Sequence, residues 1–177
     1  MRPGLQAALA GVVCLAGARE AAAEIFPNQS RPAPEKVVYV GVAAAGLISQ
    51  SPGLAGSVVL AIEWDRLLVS AEASLGETFS QWDEFDARAQ AGAVLFPAED
   101  TPYFLAGIER SVFADVIHEH RGRTDDSLTA EVGYLFRRGD ERQLWLGARG
   151  IIPISSTVYS ATSPHLPFAV LVAKFLF

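Results

Sequence analysis

Eight stretches of this chain alternate large apolar residues with small or polar ones at a period of two. Successive side chains of a β-strand point to opposite faces, so each stretch predicts a strand with two unlike faces. Leu54 to Trp64 is the clearest case. Leu54, Gly56, Val58, Leu60, Ile62 and Trp64 fall on one face, and Ala55, Ser57, Val59, Ala61 and Glu63 on the other. In the next stretch, Arg66 to Gly76, Leu67, Val69, Ala71, Ala73 and Leu75 oppose Leu68, Ser70, Glu72 and Ser74. Only Asp65 separates the two, so they form a tight hairpin whose turn borrows a flanking residue such as Arg66.

The same rhythm predicts strands over 37–47, 86–96, 103–113, 127–136, 143–152 and 167–177. The stretch from Ala87 to Ala93 is rich in alanine, a poor strand former. Its split of charges against alanines at a period of two still favours a strand over a helix. The last stretch, PFAVLVAKFLF, ends the chain on Phe177. Phe177, Phe175, Ala173, Leu171 and Ala169 share one wholly apolar parity, and Lys174 stands in mid-strand on the other. A transmembrane β-strand has this length and this alternation.

The remaining composition narrows the class. Half of the 177 residues are hydrophobic, yet after the N-terminal segment no run of eighteen apolar residues occurs. A helical membrane protein is therefore not expected. The net charge is −6 and the Lys and Arg residues form no cluster, which excludes nucleic acid as a partner. Arg2, the apolar run from Leu5 to Ala18 and the small residues Ala21 to Ala23 read as a signal peptide over residues 1–23. Residues 24–36, with three prolines, read as an irregular lead-in, and 37–177 as one barrel domain. The single cysteine, Cys14, lies in the signal peptide, so the mature chain offers no disulfide or thiolate site.

Eight antiparallel strands in up-and-down order close into a barrel with both termini on one side. The predicted connections alternate in length. Those at Asp65, 97–102 and 137–142 are short, and those at 48–53, 77–85, 114–126 and 153–166 include the three longest. Membrane barrels pair short turns on one side with long external loops on the other. Alternation alone leaves a soluble lipocalin-like barrel, apolar face inward, as an alternative. Two features favour the membrane form. The polar face is mostly small, with mid-strand charges of both signs: Glu63, Glu72, Glu109 and Glu131 against Arg88, Arg149 and Lys174. Buried charges require partners, so these seven are expected to form a lumen network. Aromatics also gather at strand ends, as interfacial girdles do. Trp64, Phe96, Tyr103, Phe136 and Trp145 flank the short turns; Phe79, Trp82, Phe85, Phe113, Tyr159 and Phe168 flank the long loops.

With its signal peptide, eight strands, the stretch PYFLAGIERSVF (102–113) and the terminal FAVLVAKFLF, the chain resembles small bacterial outer-membrane β-barrel proteins of the OmpA barrel-domain and OmpX type. The resemblance implies an all-β, eight-stranded antiparallel transmembrane β-barrel in the cell outer membrane. It implies contact with outer-membrane lipid and lipopolysaccharide and insertion by the barrel-assembly machinery. In that family the terminal aromatic strand is the assembly signal, which Leu171, Ala173, Phe175 and Phe177 would carry here. A monomer without cofactor is expected, with no catalytic or metal residues assigned. Some barrels of this size are lipid A-modifying hydrolases. Ser155 and Ser156 are present, but no histidine stands two residues before either, and His165 lies beyond them. His118 and His120 flank Glu119 in a predicted loop; two histidines without a further cysteine or histidine pair are read as a solvated loop tip.

Overall fold

The hairpin at Asp65 sets the pattern for the molecule. In a computed structural model that describes residues 36–48, 52–78, 82–115, 122–138, 140–158 and 169–177, Trp64 pairs directly with Leu67. Asp65 and Arg66 form the two-residue turn. Asp65 takes φ 53°, a left-handed conformation that aspartate tolerates better than most side chains. Eight strands follow this up-and-down scheme: β1 (Val37–Ile48), β2 (Gly53–Trp64), β3 (Leu67–Thr78), β4 (Trp82–Val94), β5 (Thr101–Asp115), β6 (Gly122–Phe136), β7 (Gln143–Val158) and β8 (Ala169–Leu176). Each pairs antiparallel with its neighbours, and β8 returns to β1 to close the barrel. The alanine-rich stretch is β4, paired along its length to β3 and β5.

Closure runs to the last residue. Gly41 pairs with Leu176, and beyond β8 the Phe177 amide donates to the Val40 carbonyl at 2.9 Å. The Val40 amide donates back to Phe177 at 3.1 Å. No strand edge is left along this seam, which removes the template for pairing with other chains.

The strands are longer than the alternation of apolar residues implies. β4 begins at Trp82 rather than Asp86, β5 runs to Asp115, β6 starts at Gly122 and β7 extends to Val158. Most of what reads as long loop is therefore hydrogen-bonded hairpin. Connections 49–52 and 79–81 are shorter than those at 95–100 and 137–142 on the opposite side. The asymmetry resides instead in β5, β6 and β7, which rise past their neighbours as a wall. Backbone pairing continues there while polar residues such as Arg110, Asp125, Asp126, Ser155 and Ser156 interrupt the apolar alternation, so the hydrophobic period fades while the strands persist. A bulge at Ile154 lets Asp126 oppose Ser155 and Ser127 oppose Pro153. Proline lacks a ladder donor, and a bulge is one of the few places a sheet accommodates it.

Burial follows the strand parity, inverted relative to a soluble protein. Val40, Val58, Leu60, Leu75, Ile108, Val132, Leu146 and Leu171 all face outward, Leu75 at 69% exposure. Glu63, Glu131 and Lys174 face inward at 0%. The outward apolar stripe of β1 runs from Val38 to Ile48. Ten steps of about 3.3 Å, tilted by about 40°, give a band roughly 25 Å high.

The aromatics divide between the two surfaces. Trp64, Phe104, Tyr134, Phe175 and Phe177 are exposed on the outer wall towards the short-turn side. Tyr103, Trp145 and Phe113 are not: each is buried inside, which removes them from the expected girdles. An eight-stranded barrel must fill its own interior, and these rings do so. Phe79, Tyr159 and Phe168 lie outside the described residues, as do the predicted signal peptide and lead-in.

Candidate functional site

The lumen is the chemically distinctive part of the molecule, and it is built in tiers. At the short-turn end lies an apolar cap of Leu68, Val94, Leu105, Leu135 and Leu176 with Tyr39 and Trp145. Inside this cap Glu63 pairs with Arg138, whose guanidinium also donates to the Asp65 carbonyl. Gln143 donates to the Tyr39 hydroxyl at 2.8 Å and accepts from the Trp145 indole N–H at 2.9 Å. Every polar group brought into this cap thus has a neighbour of the right kind, as burial demands.

The middle tier joins five strands. Glu131 and Arg149 stand directly opposite each other on β6 and β7, with Arg149 Nη2 at 2.7 Å from Glu131 Oε2. Glu131 Oε1 receives Lys174 Nζ at 2.8 Å and the Tyr103 hydroxyl at 2.8 Å. Glu72 is shared by Arg149 at 3.1 Å, Lys174 at 3.7 Å and Arg88 at 3.0 Å. Lys174 also lies over the Trp145 ring, 5.6 Å from its centroid, within cation–π range. Tyr103 reaches Glu131 because Gly133 and Gly147 pair across β6 and β7 beneath its hydroxyl. A Cβ at Gly147 would stand 2.6 Å from the Tyr103 oxygen.

The third tier faces the opposite end. Arg88, opposite Glu109 on β5, spends all three guanidinium nitrogens on carboxylates. Nε meets Glu109 at 2.9 Å, Nη2 meets Asp86 at 3.0 Å and Nη1 meets Glu72. Ser74 donates to Asp86 at 2.9 Å and Ser111 to Glu109 at 3.2 Å. Glu84 continues the same inner face and is buried.

The structure therefore gathers Glu72, Arg88, Glu109, Glu131, Arg149 and Lys174 into one connected cluster. Glu63 belongs to a separate pair with Arg138. Arg138 falls in the predicted turn 137–142, where the alternation does not single it out; the sequence pairs Glu63 with Arg88, Arg149 and Lys174 instead. Glu84 falls in the predicted connection 77–85, although Glu84, Asp86, Arg88 and Gln90 keep one parity. Asp125, paired with Arg123 at 2.6 Å, and Tyr39 also face inward without being singled out by the alternation. The candidate assembly residues Leu171, Phe175 and Phe177 are exposed on the outer face of the β8 segment, and Ala173 is half-buried there.

The hydrolase alternative finds no constellation among the described residues. The Ser156 hydroxyl accepts a hydrogen bond from Arg123 at 3.0 Å, and His118, His120 and His165 lie outside those residues. No three His, Cys, Asp or Glu side chains among the described residues form a preassembled metal centre.

Comparison with known proteins supports the architecture. Neisserial surface protein A (NspA), known from a crystal structure, aligns over 82% of this chain and 98% of its own, with a TM-score of 0.54 and 14% identity. At that identity the likeness concerns the fold alone, a closed eight-stranded antiparallel barrel. A chain from the de novo design of transmembrane β-barrels aligns over 84% of this chain and 98% of its own, at 13% identity and a TM-score of 0.42. No protein-family profile matches the chain, and no curated protein matches it in sequence.

Proposed function

We propose that the chain is an integral outer-membrane β-barrel of structural or interaction type, with a charge-filled lumen and a raised β5–β7 wall. The observation that carries this reading is the inversion of burial: carboxylates and ammonium at 0% exposure inside, a continuous belt of Val, Leu, Ile and Phe outside. Exposed apolar surface on that scale requires a non-aqueous surrounding. A lipocalin-like barrel needs the opposite arrangement. The lumen does not form an open channel among the described residues, because Trp145, Arg149, Lys174, Leu68 and Leu176 fill it.

In this reading the partners are outer-membrane lipid and lipopolysaccharide around the belt and the barrel-assembly machinery at the β8 segment. Leu171, Ala173, Phe175 and Phe177 present the apolar parity that such machinery would read. Fractionation combined with electrophoresis tests the proposal. The protein should sediment with outer membranes and migrate faster unheated than boiled, since a barrel stays folded in detergent. Recovery as a soluble periplasmic protein overturns the reading. Lipid A from expressing cells should keep its acyl pattern by mass spectrometry; an altered pattern would instead establish the hydrolase.

A further inference from the structure

The relief of the outer wall breaks at β4. Its outward parity includes Ala87 and Ala89, and the pairing continues from them to Ala73 and Ala71 of β3. No large side chain stands on the wall over that stretch. Beside it on β5, Ile108 opposes Ala89 and Arg110 opposes Ala87. A cleft of about 570 Å³ opens here, lined on the outer wall by Ala87, Ala89, Ile108, Arg110, Asp126 and Ile154. Small-ligand sites have volumes of this order and the same make-up, mostly apolar with a few placed polar groups.

The polar part of this outer lining is an ion pair. Arg110 and Asp126 oppose each other on β5 and β6, with Nε 2.8 Å from Oδ1 and Nη2 3.0 Å from Oδ2. Each is the first outward charge on its strand above the short turns. Phe104, Ala106 and Ile108 precede Arg110, and Tyr134, Val132, Ala130 and Leu128 precede Asp126. The pair therefore stands near the margin of the apolar belt. Its side chains are 65% and 43% exposed. Arg110 keeps its Nη1 donors for a further acceptor, and each Asp126 oxygen keeps a lone pair.

We propose that this cleft binds one phospholipid with an ethanolamine head. An acyl chain lies over Ala87 and Ala89 against Ile108 and Ile154, the phosphate accepts from Arg110 Nη1, and the ammonium donates to Asp126. Charge complementarity selects this occupant. The pair is neutral as a whole, with its opposite charges side by side, so a head with one phosphate and one ammonium answers both. A purely anionic head meets the Asp126 carboxylate at close range, where like charges repel. A quaternary ammonium has no hydrogen to donate to Asp126. A second copy of the barrel would cover the pair with its own apolar belt and strip both charges of water, which is costly.

The test uses the full chain folded in detergent, titrated with phosphatidylethanolamine, with bound lipid counted by native mass spectrometry. About one lipid per barrel should be retained, with an affinity about tenfold above that for phosphatidylglycerol, phosphatidylcholine or lipid A. Ala89→Phe, which fills the cleft, and Asp126→Asn, which removes the partner of the ammonium, should each abolish the preference. Val58→Phe, on the outward parity of β2, should bind as the wild type does. Heat-modifiability shows that each variant is folded, and if Ala89→Phe does not fold, Asp126→Asn carries the test. Equal retention of phosphatidylglycerol or lipid A overturns the proposed occupant. Several lipids of any kind, unchanged by Ala89→Phe, overturn the site. A dimer without lipid that Ala89→Phe dissociates overturns it in favour of a second copy. The inference rests on the membrane reading of the barrel. A heat-modifiable barrel that retains no lipid refutes the cleft alone, whereas a chain that stays soluble without detergent refutes the membrane reading.

Discussion

Many of the inward-facing residues in this molecule are held in charged pairs. Glu63 illustrates the energetics, because it has one basic partner, Arg138, and both side chains are buried. Removing one member of a buried pair strands the other, whereas removing both can be nearly neutral. Arg138→Leu should therefore lower the unfolding free energy in urea by about 3–5 kcal/mol, and adding Glu63→Leu should restore most of it. A single variant within about 0.5 kcal/mol of the wild type would show that the pair is solvated rather than sealed. The sequence revealed one half of such pairs better than the other. Mid-strand glutamates stand out against Gly, Ala and Ser, so Glu72, Glu109 and Glu131 are legible. Arg138 sits beyond a strand end, where a charge looks ordinary, next to Arg137, whose φ is 59°. Glu84 was obscured for a different reason: the apolar residues that mark strand parity thin out before it.

At the level of elements, the period of two located all eight strands, because each buries one face and exposes a different one to its surroundings. Their ends were less legible. Alternation of apolar residues records only the part of a strand that meets the belt, so β5, β6 and β7 continue invisibly into the wall. The β8 segment is the element whose end is defined most sharply, by Phe177. Two backbone hydrogen bonds tie that residue to Val40. Deleting it removes both, a loss of about 1–3 kcal/mol at roughly 0.5–1.5 kcal/mol per bond, together with the last aromatic of the outer parity. The yield of inserted barrel in cells should fall, measured as the heat-modifiable fraction of the membrane pool. If the purified variant refolds in detergent nearly as well as the wild type, the cellular defect belongs to recognition rather than closure. Normal yield in cells would remove the signal role from Phe177.

For the whole molecule, the question is what solvent the outer wall meets, and the wall itself provides a depth gauge. Along β2 the outward residues run from Leu54 near one rim through Val58 and Leu60 at mid-height to Trp64 at the other. Val58 and Leu54 are similarly exposed, at 59% and 64%, so local packing does not distinguish them. In water an arginine at either position would be tolerated within about 0.5 kcal/mol, as surface substitutions usually are. In a bilayer the cost depends on depth: about 2–4 kcal/mol at the midplane and about 0–1 kcal/mol near the interface. Val58→Arg should therefore destabilise the barrel folded in lipid vesicles by several times as much as Leu54→Arg. Equal and small effects at both positions would refute the membrane-spanning belt. A graded effect would also orient the closed lumen, placing the balanced Glu131–Arg149–Lys174 tier at membrane depth.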